Sequence, residues 1–211
     1  MPNWIVSLVA LVCFASPFWQ TKPPNQWSEQ ELQQLLTDSP WSQMAEGGSK
    51  AVGPAIRVFF ATASIMEQAE LERQRRAQLK RPKNSKAASS EPDPLVEEYR
   101  EWLEANRASQ IVVALSVPNL AAFSDEREVR RMEQESYLQA GRKKVKMTGH
   151  FAPSSGDPYL RLIFPRAIFP PDAQPTDKSI ILQLYLPGVS IPYRQAEFAV
   201  KDMMVNGKLE L

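Results

Sequence analysis

Scarcity limits the chemistry open to this chain. Its 211 residues include one histidine, His150, and one cysteine, Cys13, whereas nucleophilic catalysis needs a base beside its nucleophile. His150 falls at the end of a predicted strand beside Phe151 and reads as an ordinary strand-end side chain. No Gly-x-Ser-x-Gly elbow occurs, so a hydrolase of that kind fails at its first requirement. Zinc needs several His or Cys ligands. Asp157, Asp172 and Asp177 lie in loops outside any Asp-x-Asp-x-Asp-Gly string and are expected to form turns rather than hold calcium. Gly47-Gly48 precedes Ser49-Lys50 without the earlier glycine of a phosphate loop. No cofactor is therefore expected.

Two groups of charges remain. Acids facing one another across a cleft would hydrolyse a glycosidic bond, but Glu97, Glu98, Glu101 and Glu104 share the polar face of one predicted helix, where solvation accounts for them. Arg73, Arg75, Arg76, Lys80 and Arg81 run on into Lys83 and Lys86 and are offset by Glu70 and Glu72. This basic patch is a candidate contact for an anionic partner, such as an envelope polymer or lipid headgroups; the alternative is a helix end whose cations complement its dipole. Aromatic residues do not interleave with it, as a single-stranded nucleic-acid platform requires, so no nucleic-acid partner is expected.

The elements that must carry these residues are legible from caps, periods and breaks. Hydrophobic residues make up 43% of the chain, charged ones 23%, and the net charge is +1, which predicts one folded domain without a strong overall field. Ser28 with Glu31 forms a capping box and predicts a helix over Glu29 to Leu36, ended by Asp38-Ser39-Pro40 and flanked by Trp27 and Trp41. A strand is expected over Ala55 to Ala61. A second Ser/Glu box, Ser64 and Glu67, opens a helix to about Leu79. Residues 82–93 form a flexible loop, its Pro82 to Glu91 stretch lacking apolar period and inviting proteolysis. Asp93 and Pro94 start a further helix, with Leu95, Tyr99, Trp102, Leu103 and Asn106 on one face.

Gln110 to Val117 is a continuous apolar run, expected as a central strand buried on both faces. Ser124 caps a predicted helix over Asp125 to Gln139, closed by Gly141. The period then changes to two, with strands at Lys143 to Phe151, Tyr159 to Phe164, Ile180 to Leu186 and Gln195 to Met203. Arg161 and Arg194 fall in or beside these strands and are expected to resist trypsin. Asn206-Gly207 predicts a tight primed hairpin that returns Leu209 and Leu211 to the core. The expected class is α+β, with a largely antiparallel sheet and helices in the N-terminal half.

Before that domain comes an address. Trp4 to Ala15 is an uncharged apolar run of signal-peptide length, with Cys13 and Ala15 as small residues before a cut after Ala15. Residues 1–15 are expected to be a signal peptide, 16–26 an extended leader and 27–211 a single domain without cysteine. Retention of the run would make it a membrane anchor instead. The stretch from Trp27 to Trp41, W-S-x-x-E-L-x-x-L-L-x-x-S-P-W, and the stretch from Lys201 to Leu211, K-D-M-x-x-x-G-K-L-E-L, resemble paired marks of an uncharacterised family of exported bacterial proteins. The resemblance implies export and carries no activity. The resulting expectation is a periplasmic or extracellular interaction or structural module, non-enzymatic, whose partner is an anionic envelope component or another envelope protein. A carboxylate-dependent polysaccharide hydrolase and a membrane-tethered accessory protein are the alternatives.

Overall fold

A computed structural model describes residues 17–47, 55–80, 93–117, 120–154, 156–169 and 178–211. The expected signal peptide, Arg81, Asp172, Asp177 and the expected loop as far as residue 92 lie outside the described residues.

Residues 17–26 differ from the extended leader expected over 16–26. Helix α1 (Phe18–Thr21) and a 3-10 turn (Pro24–Gln26) occupy the stretch. The cause is aromatic packing: Phe18 meets Trp27 edge-on at 6.1 Å and Trp19 meets Trp41 at 5.9 Å, which folds the segment back onto the domain. Helix α2 (Glu29–Thr37) starts at the capping box, Ser28 Oγ accepting the Glu31 N–H at 3.0 Å and the Glu31 carboxylate accepting the Ser28 N–H at 2.8 Å. It buries Leu32, Leu35 and Leu36.

Strand β1 (Ser42–Ala45) follows directly, too short to show a period in the sequence. Next come β2 (Ile56–Phe60), α3 (Ser64–Lys80) and α4 (Pro94–Asn106), whose N-cap Asp93 accepts the Leu95 N–H at 3.0 Å. The expected box at the start of α3 does not form. Ser64 instead donates its N–H to the Glu210 carboxylate at 2.9 Å, and Glu67 pairs with Arg107 at 2.5 Å. On α4, Tyr99 and Trp102 pack on Phe151 and Leu103 is buried, whereas Leu95 is exposed.

Strand β3 (Gln110–Ser116) leads to α5 (Glu126–Glu135). Two corrections apply here. Asp125 rather than Ser124 is the N-cap, and the helix ends at Glu135 because Tyr137–Ala140 alternates Leu138 and Ala140 into the core as β4. Gly141, at φ 54°, then turns a hairpin into β5 (Lys143–Lys146) instead of closing a helix. The single strand expected over Lys143 to Phe151 bends at Met147-Thr148 and continues as β6 (Gly149–Phe151). The remaining strands are β7 (Tyr159–Pro165), β8 (Ser179–Tyr185), β9 (Tyr193–Ala199), β10 (Met204–Val205) and β11 (Lys208–Leu209). Asn206 and Gly207, at φ 51° and 77°, make the primed turn between the last two. Leu211 reaches the core, Leu209 lies half-buried, and the Glu210 carbonyl accepts the Trp41 indole N–H at 2.8 Å.

The fold is α+β, with antiparallel pairing throughout. One sheet runs β1-β2-β3-β7-β6 and the other β5-β4-β8-β9. They join along both sides. Glu46 and Gln195 exchange backbone hydrogen bonds of 2.9 and 2.8 Å between the end of β1 and β9. Opposite them, the bent β5–β6 segment passes from one sheet to the other, with Met147 bonded to Ser136 and Thr148 to Ile163. The result is a closed, barrel-like ring. Register partners share a face, so Phe60 lies with Val113 and Leu162, and Phe198 with Ile180. The rings of Phe60 and Phe198 meet at 4.5 Å and fill the interior. Strands β3 and β7 are buried on both faces, while β9 alternates exposed and buried residues.

Candidate functional site

In the basic patch on α3, Arg73 and Arg76 turn onto the domain, whereas Arg75 and Lys80 stay exposed. Both Arg75 Nε and Nη2 donate to Glu72 at 2.7 Å. Arg76 donates to Glu72 at 2.6 Å and to the Trp27 carbonyl at 2.6 Å. These bonds, Arg75's foremost, hold the Glu72 carboxyl down to about 2. Arg73 stacks over the Tyr159 ring at 5.2 Å, and Lys80 reaches Glu29 at 3.4 Å. Arg73, Arg76 and Lys80 thus link α3 to its surroundings, Arg75 pairs within the helix, and Arg81 is outside the described residues.

A second cluster lies beneath α3 and α4 on the outer face of β7. Arg161 is 4% exposed and donates to Glu70 at 3.0 Å and to Asp157 at 2.5 Å, with its guanidinium over the Tyr99 ring at 4.4 Å. Burial works against the Arg161 charge; Glu70, Tyr99 and Asp157 more than offset it, so its pKa is raised. Burial also pushes the Tyr99 hydroxyl up to about 12. Asp157 additionally accepts the Tyr159 N–H at 3.2 Å, the turn-forming role expected of it. Glu70 and Asp157 come from different elements and meet on one arginine, which claims both carboxylates. His150 Nδ1 stands 3.1 Å from Glu133.

On the other sheet, Arg131 of α5 donates to the hydroxyls of Tyr185 and Tyr193 at 3.1 Å each and to Glu135 at 2.8 Å. The Glu135 hydrogen bond leads the causes that raise the Arg131 pKa. This network ties α5 to β8 and β9. The described residues contain no group of three or more side chains suited to a metal ion.

The arginine that stands apart is Arg194. It occupies an inward position on β9, opposite Leu184 and two residues from Ala196, and is 2% exposed. Nε donates to the Ile191 carbonyl at 3.0 Å, turning the guanidinium under the loop between β8 and β9. Nη1 is buried without a hydrogen-bond partner, and no carboxylate among the described residues stands at ion-pair distance. Uncompensated buried charge is costly, so such a group calls for an explanation.

Arg194 lines a cleft of about 380 Å³ at the mouth of the ring. The walls come from the start of β2 (Ala55, Ile56 and Arg57), the end of β3 (Ser116 and Val117) and the β8–β9 loop (Val189 and Ser190). Among the described lining residues four are apolar, two carry hydroxyls, two are cationic and none is acidic. A small molecule with an apolar body and a negative group suits this lining, because the guanidinium regains a charged partner while apolar surface leaves water.

Sequence reasoning missed Arg194 by one residue. The strand was expected to begin at Gln195, so its alternation was never extended to residue 194. Ala196 and Phe198 point inward, and continuing their period back two places puts Arg194 on the core face. A comparison with known proteins gives no match to this chain among family models, curated proteins or solved structures.

Proposed function

We propose that this chain is a non-catalytic binding protein working outside the cytoplasm, with the cleft at the mouth of the ring as its binding site. The observation that carries the binding reading is Arg194, a buried cation with one carbonyl partner in the wall of an otherwise largely apolar cleft. Binding rather than catalysis is favoured because Glu70 and Asp157, acids from different elements that meet, are both engaged by Arg161 under two helices. Export rests on the apolar run Trp4 to Ala15 and on the resemblance carried by the segments Trp27 to Trp41 and Lys201 to Leu211.

Two experiments test the proposal. Native mass spectrometry of protein purified from its host is expected to show a small-molecule adduct that Val189→Glu, which places a carboxylate in the cleft wall, removes. An adduct-free spectrum, together with unchanged amide exchange over residues 189–194 when an envelope extract is added, would contradict binding at the cleft. Sequencing of the mature N-terminus is expected to start at Ser16. A chain beginning at Met1 in the membrane fraction would replace export with the tethered accessory reading.

A further inference from the structure

We infer that the ligand of this cleft is a small amphiphile with a single carboxylate head and an uncharged apolar body, an inference that rests on the binding reading above. The charge follows from the wall. Arg194 is buried without a carboxylate, and Arg57, half-buried beside the same cleft, has no ion pair among the described residues either. An anion entering there meets the Arg194 guanidinium and, among the described lining residues, no acid.

The body follows from Ile56, Val117 and Val189, whose side chains offer no hydrogen bond to a polar ligand. The volume of about 380 Å³ lies near the lower end of small-molecule sites and excludes a large polymer from full burial. The head group follows from donor arithmetic. Arg194 Nε is committed to the Ile191 carbonyl, which leaves the end-on edge formed by its two terminal nitrogens as the two-pronged face for an acid group. Nη1 is the buried unpaired donor. A carboxylate has two oxygens to satisfy, and the terminal nitrogens of Arg194 with the hydroxyl of Ser190 suffice. A phosphate brings three acceptor oxygens and nearly two charges into a mostly apolar lining, which leaves oxygens unmet.

Calorimetric titration of the full chain with octanoate, octanamide and inorganic phosphate tests the inference. Octanoate is expected to bind, with octanamide and phosphate each at least about tenfold weaker. Arg194→Met is expected to weaken octanoate by about ten- to a hundredfold, to leave octanamide unchanged and not to lower the melting temperature. Octanamide binding as tightly as octanoate, or Arg194→Met binding octanoate like the wild type, would overturn the anionic head and leave the binding reading standing. Phosphate binding more tightly than octanoate would overturn the carboxylate amphiphile. Binding of neither octanoate nor octanamide would overturn this inference, while the proposed function stands or falls on the native mass spectrum.

Discussion

Arg161 and Arg194 are both strand arginines with almost no exposed surface, yet their surroundings are opposite. Arg161 sits on the outer face of β7, where α3 supplies Glu70, a neighbouring turn supplies Asp157, and α4 supplies an aromatic face. Arg194 sits on the inner face of β9, where the ring supplies Leu184, Ala196 and one carbonyl. Burial alone therefore says little about why a charge is kept. A guanidinium with two carboxylates is part of the architecture, because removing it strands both acids. One without any is an expense to the fold, and the cleft beside it gives the reason for its presence.

The contrast can be broken most directly at its paired end. Arg161→Met leaves Glu70 and Asp157 under the helices without their cation and is expected to destabilise by about 3–5 kcal/mol, read by urea denaturation. A loss below about 1 kcal/mol would show that the cluster is not a structural anchor. The same cluster can be loosened from a distance. Glu210 holds the first N–H of α3, the helix that carries Glu70, while Leu211 is buried. Removing residues 206–211 is expected to cost about 3 kcal/mol, from one buried leucine, the Trp41 hydrogen bond and this cap. An unchanged melting temperature would refute the assignment.

The smallest effect concerns the surface side of α3. The folded Glu72 carboxyl is held down to about 2 against an ordinary 4.5, chiefly by Arg75. A depressed carboxyl contributes stability above its unfolded pKa and loses it as pH falls toward the folded value. Melting temperature is thus expected to fall between about pH 5 and 2, with a shallower slope in Glu72→Gln. Equal slopes in the two proteins would place the acid sensitivity elsewhere.

Local signals were legible in the sequence and distant ones were not. The start of α2 and the start of α4 were readable because Ser28, Glu31, Asp93 and Pro94 act within one turn of their own backbone. The primed turn at Asn206-Gly207 was readable for the same reason. The end of α5 was misjudged because Tyr137–Ala140 carries few residues and its pairing with β8 lies far along the chain. Closure of the two sheets rests on Glu46 finding Gln195, which no local pattern announces. In the basic patch the offset by Glu72 was legible from its i,i+3 and i,i+4 spacing to Arg75 and Arg76, whereas the contacts of Arg76 with Trp27 and of Arg73 with Tyr159 depend on distant parts of the chain. Arg161 was placed correctly in a strand, but its burial depends on helices covering the outer face, a tertiary event.

The central claim is that Arg194 serves a ligand rather than the fold, and equilibrium denaturation of Arg194→Met beside the wild type, in ligand-free protein at neutral pH, tests it most directly. Methionine fills similar space without a charge to desolvate, so the variant is expected to match the wild type or exceed it by about 1 kcal/mol or more. A loss of about 3 kcal/mol or more, on the scale expected for Arg161→Met, would make Arg194 a structural residue and contradict the account.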